Sequence, residues 1–390
     1  MRALLYRDSP HPISMEAHNR PDRVDHRPEV LVVTHDLSAS GAPMVVYYAV
    51  KHLLESGGFP VVASPVDGPM RAVFSSLGIP VIIDSLFLSR HDSVRQLARN
   101  FDCVLASTVV NWPIVYQLLE DAVPVMWYLH ECELIPELAQ RDPLVATALR
   151  QSRHVYAGSE RAASFCRPFN RGVTILNYGV TDIYRPGRQP VSSGGAVVFS
   201  VFGSLEPRKG QDILLKAVRL LGDRATGTAV FNVVGRTLDP GFEFMLRGLA
   251  EGLESVTLRG ALDHGQYLEL MNESDVIVCP SRDDALPLVT LDALSLGKTL
   301  ICSDTTGTSD FMTSGRDGVV VPSARPDALA EAMARLIDDP TLIIRMGAEG
   351  RHTYLRHFSE ARFGERLVDA VRTISRPASG TCPPREERGC

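Results

Sequence analysis

"DVIVCPSRDDALPLVTLDALSLGKTLICSD", residues 275–304, contains two short β-branched runs flanking an apolar stretch of helical character. "DVIVCPS" reads as a buried strand, "RDDA" as the loop at its carboxyl end, and "KTLICSD" as the next strand. Between them, Pro287 suits the first turn of a helix running through Leu296 and stopping at Gly297. Strand, helix, strand is the βαβ unit of a parallel sheet.

The pattern repeats in both directions. Upstream, "EVLVVTHD", "PVVASP", "PVIID", "FDCVLAST", "VPVMWYLH", "RHVYAGS" and "GVTILNY" alternate with amphipathic stretches. After "YRPGRQPVSSGG" (residues 184–195), a turn-rich linker, the alternation restarts with "AVVFSVFGS", "TAVFNVVGR", "SVTLRGA", the two quoted strands and "DGVVVPS". The chain is therefore α/β, with two Rossmann-like doubly wound domains facing an interdomain cleft. The expected organisation is a loosely ordered leader over residues 1–28, a first domain over 29–186 and a linker over 187–195. A second domain over 196–358 follows, then a helix over 359–375 packing back towards the first domain, and a disordered tail over 376–390.

Composition excludes several classes of function. The 390 residues are 45% hydrophobic and 22% charged with a net charge of −6, enough to bury a full core and without the basic blocks of a nucleic-acid binder. Seven dispersed cysteines lack any Cys-x-x-Cys pair, so neither a disulfide framework nor a zinc site is readable. The N-terminus is polar and proline-broken rather than a signal peptide, and no apolar stretch approaches the ~20 residues that span a bilayer. A cytoplasmic protein is expected, with peripheral membrane contact left open.

In open parallel sheets ligands sit at the carboxyl ends of strands, in loops that lead into helix starts. The N–H groups of Leu288 and Val289, at the positive end of the helix dipole, form an anion site there. Asp283 and Asp284 precede that start, and two readings compete: helix caps, or contacts to a ligand. Asp292, in the second turn among leucines, lies either on a solvated face or at the vicinal hydroxyls of a ribose.

Asp284 and Asp292, eight positions apart around "LVTLDAL", resemble the paired acids of the family 4 retaining glycosyltransferases, whose fold is GT-B. The family segment reads Pro-Ser-x-x-Glu-Gly-Phe-Gly-Leu-Val-x-Leu-Glu-Ala. The resemblance runs from about residue 30 to 374 and takes in, in order, "THDLSASGAPMVVYYAVKHLLESGGFPV", "DGPMRAVFSSLGIPV", "WYLHECEL", "NYGVTDIYRPG", "GSLEPRKGQDILLKAV", "VVGR", "VTLRGALDHGQYLELMNESDVIVCPS" and "DGVVVPSARPDALAEAMARLIDDP".

This resemblance implies a nucleoside-diphosphate sugar such as a UDP- or GDP-sugar as donor, a hydroxyl acceptor, and neither cofactor nor metal. It makes Lys209 a diphosphate ligand with Arg208 beside it, Gly41 and Ala42 loop residues near the donor, and His130 a partner of the donor sugar, with Glu131 secondary. Asp284 becomes the acid at the sugar, with Asp283 able to take that place, and Asp292 the acid at the ribose. Acceptor contacts fall in residues 37–40 and after His130. In "SDTTGTSDF" (residues 303–311) Thr306 stands where the family has its first glycine, followed by Gly307 and by Asp310 as the acid. All three family glutamates are aspartates here, and Ser204 replaces a common arginine. Two alternatives remain beside sugar transfer: epimerisation of a nucleotide sugar, and nonenzymatic binding of nucleotide or carbohydrate. A nicotinamide dehydrogenase is disfavoured because no Gly-x-Gly-x-x-Gly follows a strand.

Overall fold

The computed structural model describes residues 27–89, 92–121, 123–185 and 195–375. The expected leader, linker and tail therefore lie outside the described residues, apart from Arg27, Pro28 and Gly195. Each strand-like run of the sequence forms a strand. The first seven are β1 (Glu29–Val33), β2 (Phe59–Ser64), β3 (Val81–Ile83), β4 (Cys103–Ser107), β5 (Val125–Leu129), β6 (His154–Ala157) and β7 (Thr174–Ile175). They make one sheet in the order β3-β2-β1-β4-β5-β6-β7. A second sheet, ordered β10-β9-β8-β11-β12-β13, holds β8 (Val197–Phe202), β9 (Ala229–Val234), β10 (Val256–Arg259), β11 (Val276–Cys279), β12 (Thr299–Ser303) and β13 (Val319–Val321).

Every strand pair is parallel. That follows from the sequence, because each connection carries a helix-length segment over one face of the sheet. With helices on both faces the central strands are buried throughout, as in β4 and β12, where all five residues are enclosed. Both sheets reverse their winding at the first strand, so β1 lies between β2 and β4, and β8 between β9 and β11. The reversal opens a crevice at the carboxyl ends of each central pair.

The sheets are joined where residues 177–183 and 358–360 run side by side. Val180 bridges Ser359 in parallel, its N–H donating to Phe358 O at 3.0 Å and its carbonyl accepting from the Glu360 N–H at 3.1 Å. The helix Glu360–Ile374 then packs on the helix Gly41–Glu55. Gly364 permits this approach, since a Cβ there would lie 2.3 Å from the His52 ring. The Glu360 carboxylate accepts from Lys51 Nζ at 2.6 Å and Thr181 Oγ1 at 2.5 Å. Burial alone would raise the Glu360 pKa, but His52, Lys51 and Thr181 hold it down at about 2. A depressed acid contributes stability that is full above its unfolded value and lost as pH falls through its folded one. Glu360→Gln is thus expected to cost about 1–3 kcal/mol at pH 7, with the deficit shrinking below pH 4; melting curves across that range check it.

Candidate active site

Residues 203–210 leave β8 and residues 280–287 leave β11, and these strands are neighbours at the switch point. The two loops meet closely: Gly210 has φ 71°, and a Cβ there would lie 2.1 Å from Pro280 O. Only glycine fits. The contact presents the preceding residue, Lys209, to the loop of β11, and Lys209 Nζ lies 2.5 Å from Asp284 Oδ2. Arg208 Nη1 is 3.5 Å from the same oxygen, while its Nη2 donates to Glu206 Oε1 at 3.0 Å. Ser204 turns to Glu206 as well, at 2.7 Å, and so stands apart from Asp284.

Neither aspartate caps the helix that follows. That helix is Leu288–Ser295, one residue shorter at each end than the sequence indicated. Pro287, with ψ 125°, is extended and occupies the cap position, and no side chain caps the helix start. The Leu288 and Val289 N–H groups have no acceptor among the described residues, whereas Thr290 N donates to Pro287 O at 3.0 Å. An uncapped helix start beside two cations is a place for an anion.

Asp283 goes elsewhere. Its Oδ1 accepts from Arg161 Nε and Nη2 at 3.0 and 2.7 Å, and its Oδ2 from the Glu133 N–H at 3.2 Å. Both donors follow strands of the first sheet, so the side chain is a tie across the cleft, and of the two acids only Asp284 joins the cations. The tie has companions. Tyr178 Oη donates to Leu286 O, and a Cβ on Gly307 would lie 2.8 Å from the Ser159 side chain and 1.7 Å from Ala285 O. Gly307 N donates to Asp284 O at 3.0 Å, and Asp284 bridges Thr306, so the loops of β11 and β12 run together. Asp310 lies on the turn Ser309–Phe311 with its side chain largely at the surface, and partial desolvation, then Glu160, raise its pKa against Arg161.

Asp292 is not on a solvated face. Tyr267 Oη donates to its Oδ2 at 2.7 Å, and the Tyr267 ring packs edge-on to Phe202 at the end of β8, 5.2 Å between centroids. Burial raises the Asp292 pKa to about 6, against the lowering effect of the Tyr267 bond. An acid with a raised folded pKa contributes stability fully present below its unfolded value and lost as pH rises through the folded one. Asp292→Asn is accordingly expected to melt higher than the wild type at pH 8 and to lose that advantage on acidification to about pH 4, as thermal scans at the two pH values would show.

Across the cleft, His130 ends β5. Its Nε2 lies 3.1 Å from Ser107 Oγ at the end of β4, and its ring packs on Tyr128 and Tyr178 with centroids 4.4 and 5.7 Å away. Burial first, then His35, lowers its pKa to about 3, so the imidazole is neutral at physiological pH; its Nδ1 is buried and has no partner among the described residues. Glu131 turns inward: its Oε2 accepts from the Val109 and His130 N–H groups at 3.0 Å each. Burial raises its pKa to about 7 against those bonds. Gly41 and Ala42 begin the helix Gly41–Glu55, whose N-cap Ser40 makes no capping bond. A Cβ on Gly41 would meet nothing within 4 Å, so no protein contact requires glycine there.

Sequence reasoning missed Arg161, Tyr267, Tyr178 and Ser107. Arg161 and Ser107 had a signal in their places at the carboxyl ends of β6 and β4, but nothing local marked either tyrosine as a site residue. Among the described residues no helix is long and apolar enough to cross a membrane, and the five described cysteines are buried and free.

Residues 27–164 match the family model described as Glycosyl-transferase family 4, and residues 196–339 that of Glycosyl transferases group 1. The chain is similar to an alpha-D-kanosaminyltransferase of Streptomyces kanamyceticus, 26% identical over 303 residues, 76% of this chain and 72% of that protein. A GDP-mannose-dependent phosphatidylinositol monomannoside mannosyltransferase of Corynebacterium glutamicum is 29% identical over 181 residues, covering 44% of this chain and 46% of that one. In fold, the chain is similar to Anabaena HepE, with TM-score 0.76 at 17% identity over 89% of this chain and 100% of the other. The lipopolysaccharide glycosyltransferase WaaG superposes with TM-score 0.68 at 15% identity, over 87% and 98%. With both halves matched in tandem and the two sheets arranged as in GT-B, the chain belongs to the family 4 glycosyltransferases.

Proposed function

We propose that the protein moves a sugar from a nucleoside-diphosphate sugar to a hydroxyl acceptor, with retention at the anomeric carbon and without a metal. The observation that carries this reading is the union of Lys209, Arg208 and Asp284 beside the uncapped start of Leu288–Ser295. As the glycosidic bond breaks, charge accumulates on the leaving diphosphate, and preorganised donors at that position lower the barrier. Lys209, the Arg208 fork and the Leu288 and Val289 N–H groups supply them.

In the free protein Asp284 neutralises Lys209. A diphosphate arriving at Lys209 substitutes for that carboxylate, which then accepts from sugar hydroxyls. Asp292, on the next turn, accepts from the ribose. His130, neutral, faces the sugar from the opposite wall. The acceptor hydroxyl attacks from the face the diphosphate leaves, and a departing phosphate oxygen takes its proton; the protein supplies positioning and electrostatics. Domain closure excludes water.

Relatives named for glycosyl transfer support this over epimerisation or nonenzymatic binding. HepE is known in complex with UDP and glucose, and the Corynebacterium relative is named for GDP-mannose, so both bases belong in the test. A thermal-shift and calorimetric screen of UDP, GDP, ADP and dTDP, first without metal and then with magnesium, should find one nucleoside diphosphate binding without metal. Folded protein that binds none would defeat the reading; binding only with magnesium would defeat its metal-free part.

A further inference from the structure

Away from the cleft residues, the corner between the helices Thr341–His357 and Glu360–Ile374 holds a cavity of about 180 Å3 lined by Asn177, Arg356, His357, Arg362, Glu365 and Arg366. Three guanidinium groups and an imidazole thus face one carboxylate. Several other arginines are matched, Arg161 with Asp283, Arg282 with Asp212, Arg351 with Asp182, and Arg95 and Arg99 with Asp121, while others stand singly among the described residues. At this corner none of the three arginines has a carboxylate within ion-pair distance among the described residues.

The cluster is also partly preorganised. Arg366 Nε donates to Arg362 O at 3.2 Å and its Nη2 to Asn177 O at 3.1 Å, which fixes the guanidinium plane by two backbone carbonyls. His357 is held against Phe311, with ring centroids 5.1 Å apart. The cations oppose one another: the His357 pKa is lowered by burial and then by Arg356, Arg362 and Arg366, and that of Arg366 by burial and by Arg362, Tyr128 working against the fall. Converging like charges cost free energy that a bound anion would offset.

We infer that this corner is a second anion site, taking the phosphate of a phosphomonoester or of a phospholipid headgroup, separate from the donor diphosphate site. Forked guanidinium groups match tetrahedral phosphate oxygens. The cavity is smaller than the ~300 Å3 at which pockets for whole small-molecule ligands begin, a size suited to a phosphate group rather than to an enclosed nucleotide. A phosphate bound there would join residues 176–178 of the first sheet's last connection to the helix Glu360–Ile374.

The test uses the full chain with two probes that contain no nucleoside, so it stands even if nucleotide binding is never found. Inorganic phosphate is followed by 31P line broadening. Cosedimentation compares vesicles of phosphatidylcholine alone with vesicles that also contain phosphatidic acid. Wild type should bind one probe or both; Lys209→Ala, which removes phosphate binding at the donor site, should keep the binding at this corner, and adding Arg356→Gln/Arg362→Gln should weaken what remains at least about tenfold, consistent with the loss of two charge-assisted contacts. Phosphate alone identifies a free phosphomonoester as the ligand; acidic vesicles identify a headgroup. Both substituted side chains are exposed, and an unchanged melting temperature confirms the fold; Arg356→Gln alone serves if the pair melts early. Binding of neither probe overturns the inference, as does binding that is lost in Lys209→Ala or that survives unweakened when both arginines are also replaced.

Discussion

Lys209→Ala is expected to lower kcat by about 10²-fold or more, the effect of removing one preorganised donor from a developing oxyanion. The side chain is one-fifth exposed and its ammonium reaches Asp284 at 2.5 Å, so its loss leaves a carboxylate that is 12% exposed with only Arg208 nearby. Two consequences separate a catalytic role from a structural one. If Lys209 serves only to neutralise Asp284, Lys209→Ala/Asp284→Asn should be no slower than Asp284→Asn alone, because no unpaired charge remains to be compensated. If it meets the diphosphate, the double variant is slower than Asp284→Asn by about the full effect of Lys209→Ala. Steady-state kinetics of the three variants, with melting temperatures measured alongside, decide between them, and wild-type turnover in Lys209→Ala would remove the residue from the mechanism.

The second large effect is on stability. Arg161→Ala is expected to cost about 3 kcal/mol, because it strands the Asp283 carboxylate with one backbone N–H in a site where its side chain is 10% exposed. Asp283→Asn should cost less, since the amide oxygen still accepts from Arg161 and from Glu133 N and no charge is left unpaired. Asp284→Asn should do the reverse of Asp283→Asn: little change in unfolding and a marked fall in turnover. Denaturant unfolding and initial rates on the same four proteins check this, and a catalytic loss in Asp283→Asn equal to that in Asp284→Asn would show that both acids serve the substrate.

That contrast between adjacent aspartates marks the limit of what could be read from the chain. Thirteen apolar runs announced thirteen strands, because burial on both faces leaves a local trace, a short β-branched run, and the amphipathic stretches between them force parallel crossovers. The positions of Lys209 and Asp284 were legible too, since each lies in a segment that leaves the carboxyl end of a strand. The bounds of the helix after Pro287 were not: its extended ψ moved the cap by one residue.

The sequence by itself determined the α/β alternation, the two sheets, the family motifs and the strand ends at which chemistry had to lie. Only the tertiary structure decided which strand ends meet. Lys209 and Asp284, 75 positions apart, join because β8 and β11 are neighbours at the switch point. Asp283 finds Arg161 across the cleft because Asp284 is held in extended pairing with Thr306, and adjacent residues of an extended chain face opposite ways. Asp292 is half-buried beside Tyr267, and Arg356, Arg362 and Arg366 converge where two helices turn a corner. Periodicity is local and survives in the sequence. Partnership across a sheet or a cleft is set by packing between distant segments, and no spacing along the chain records it.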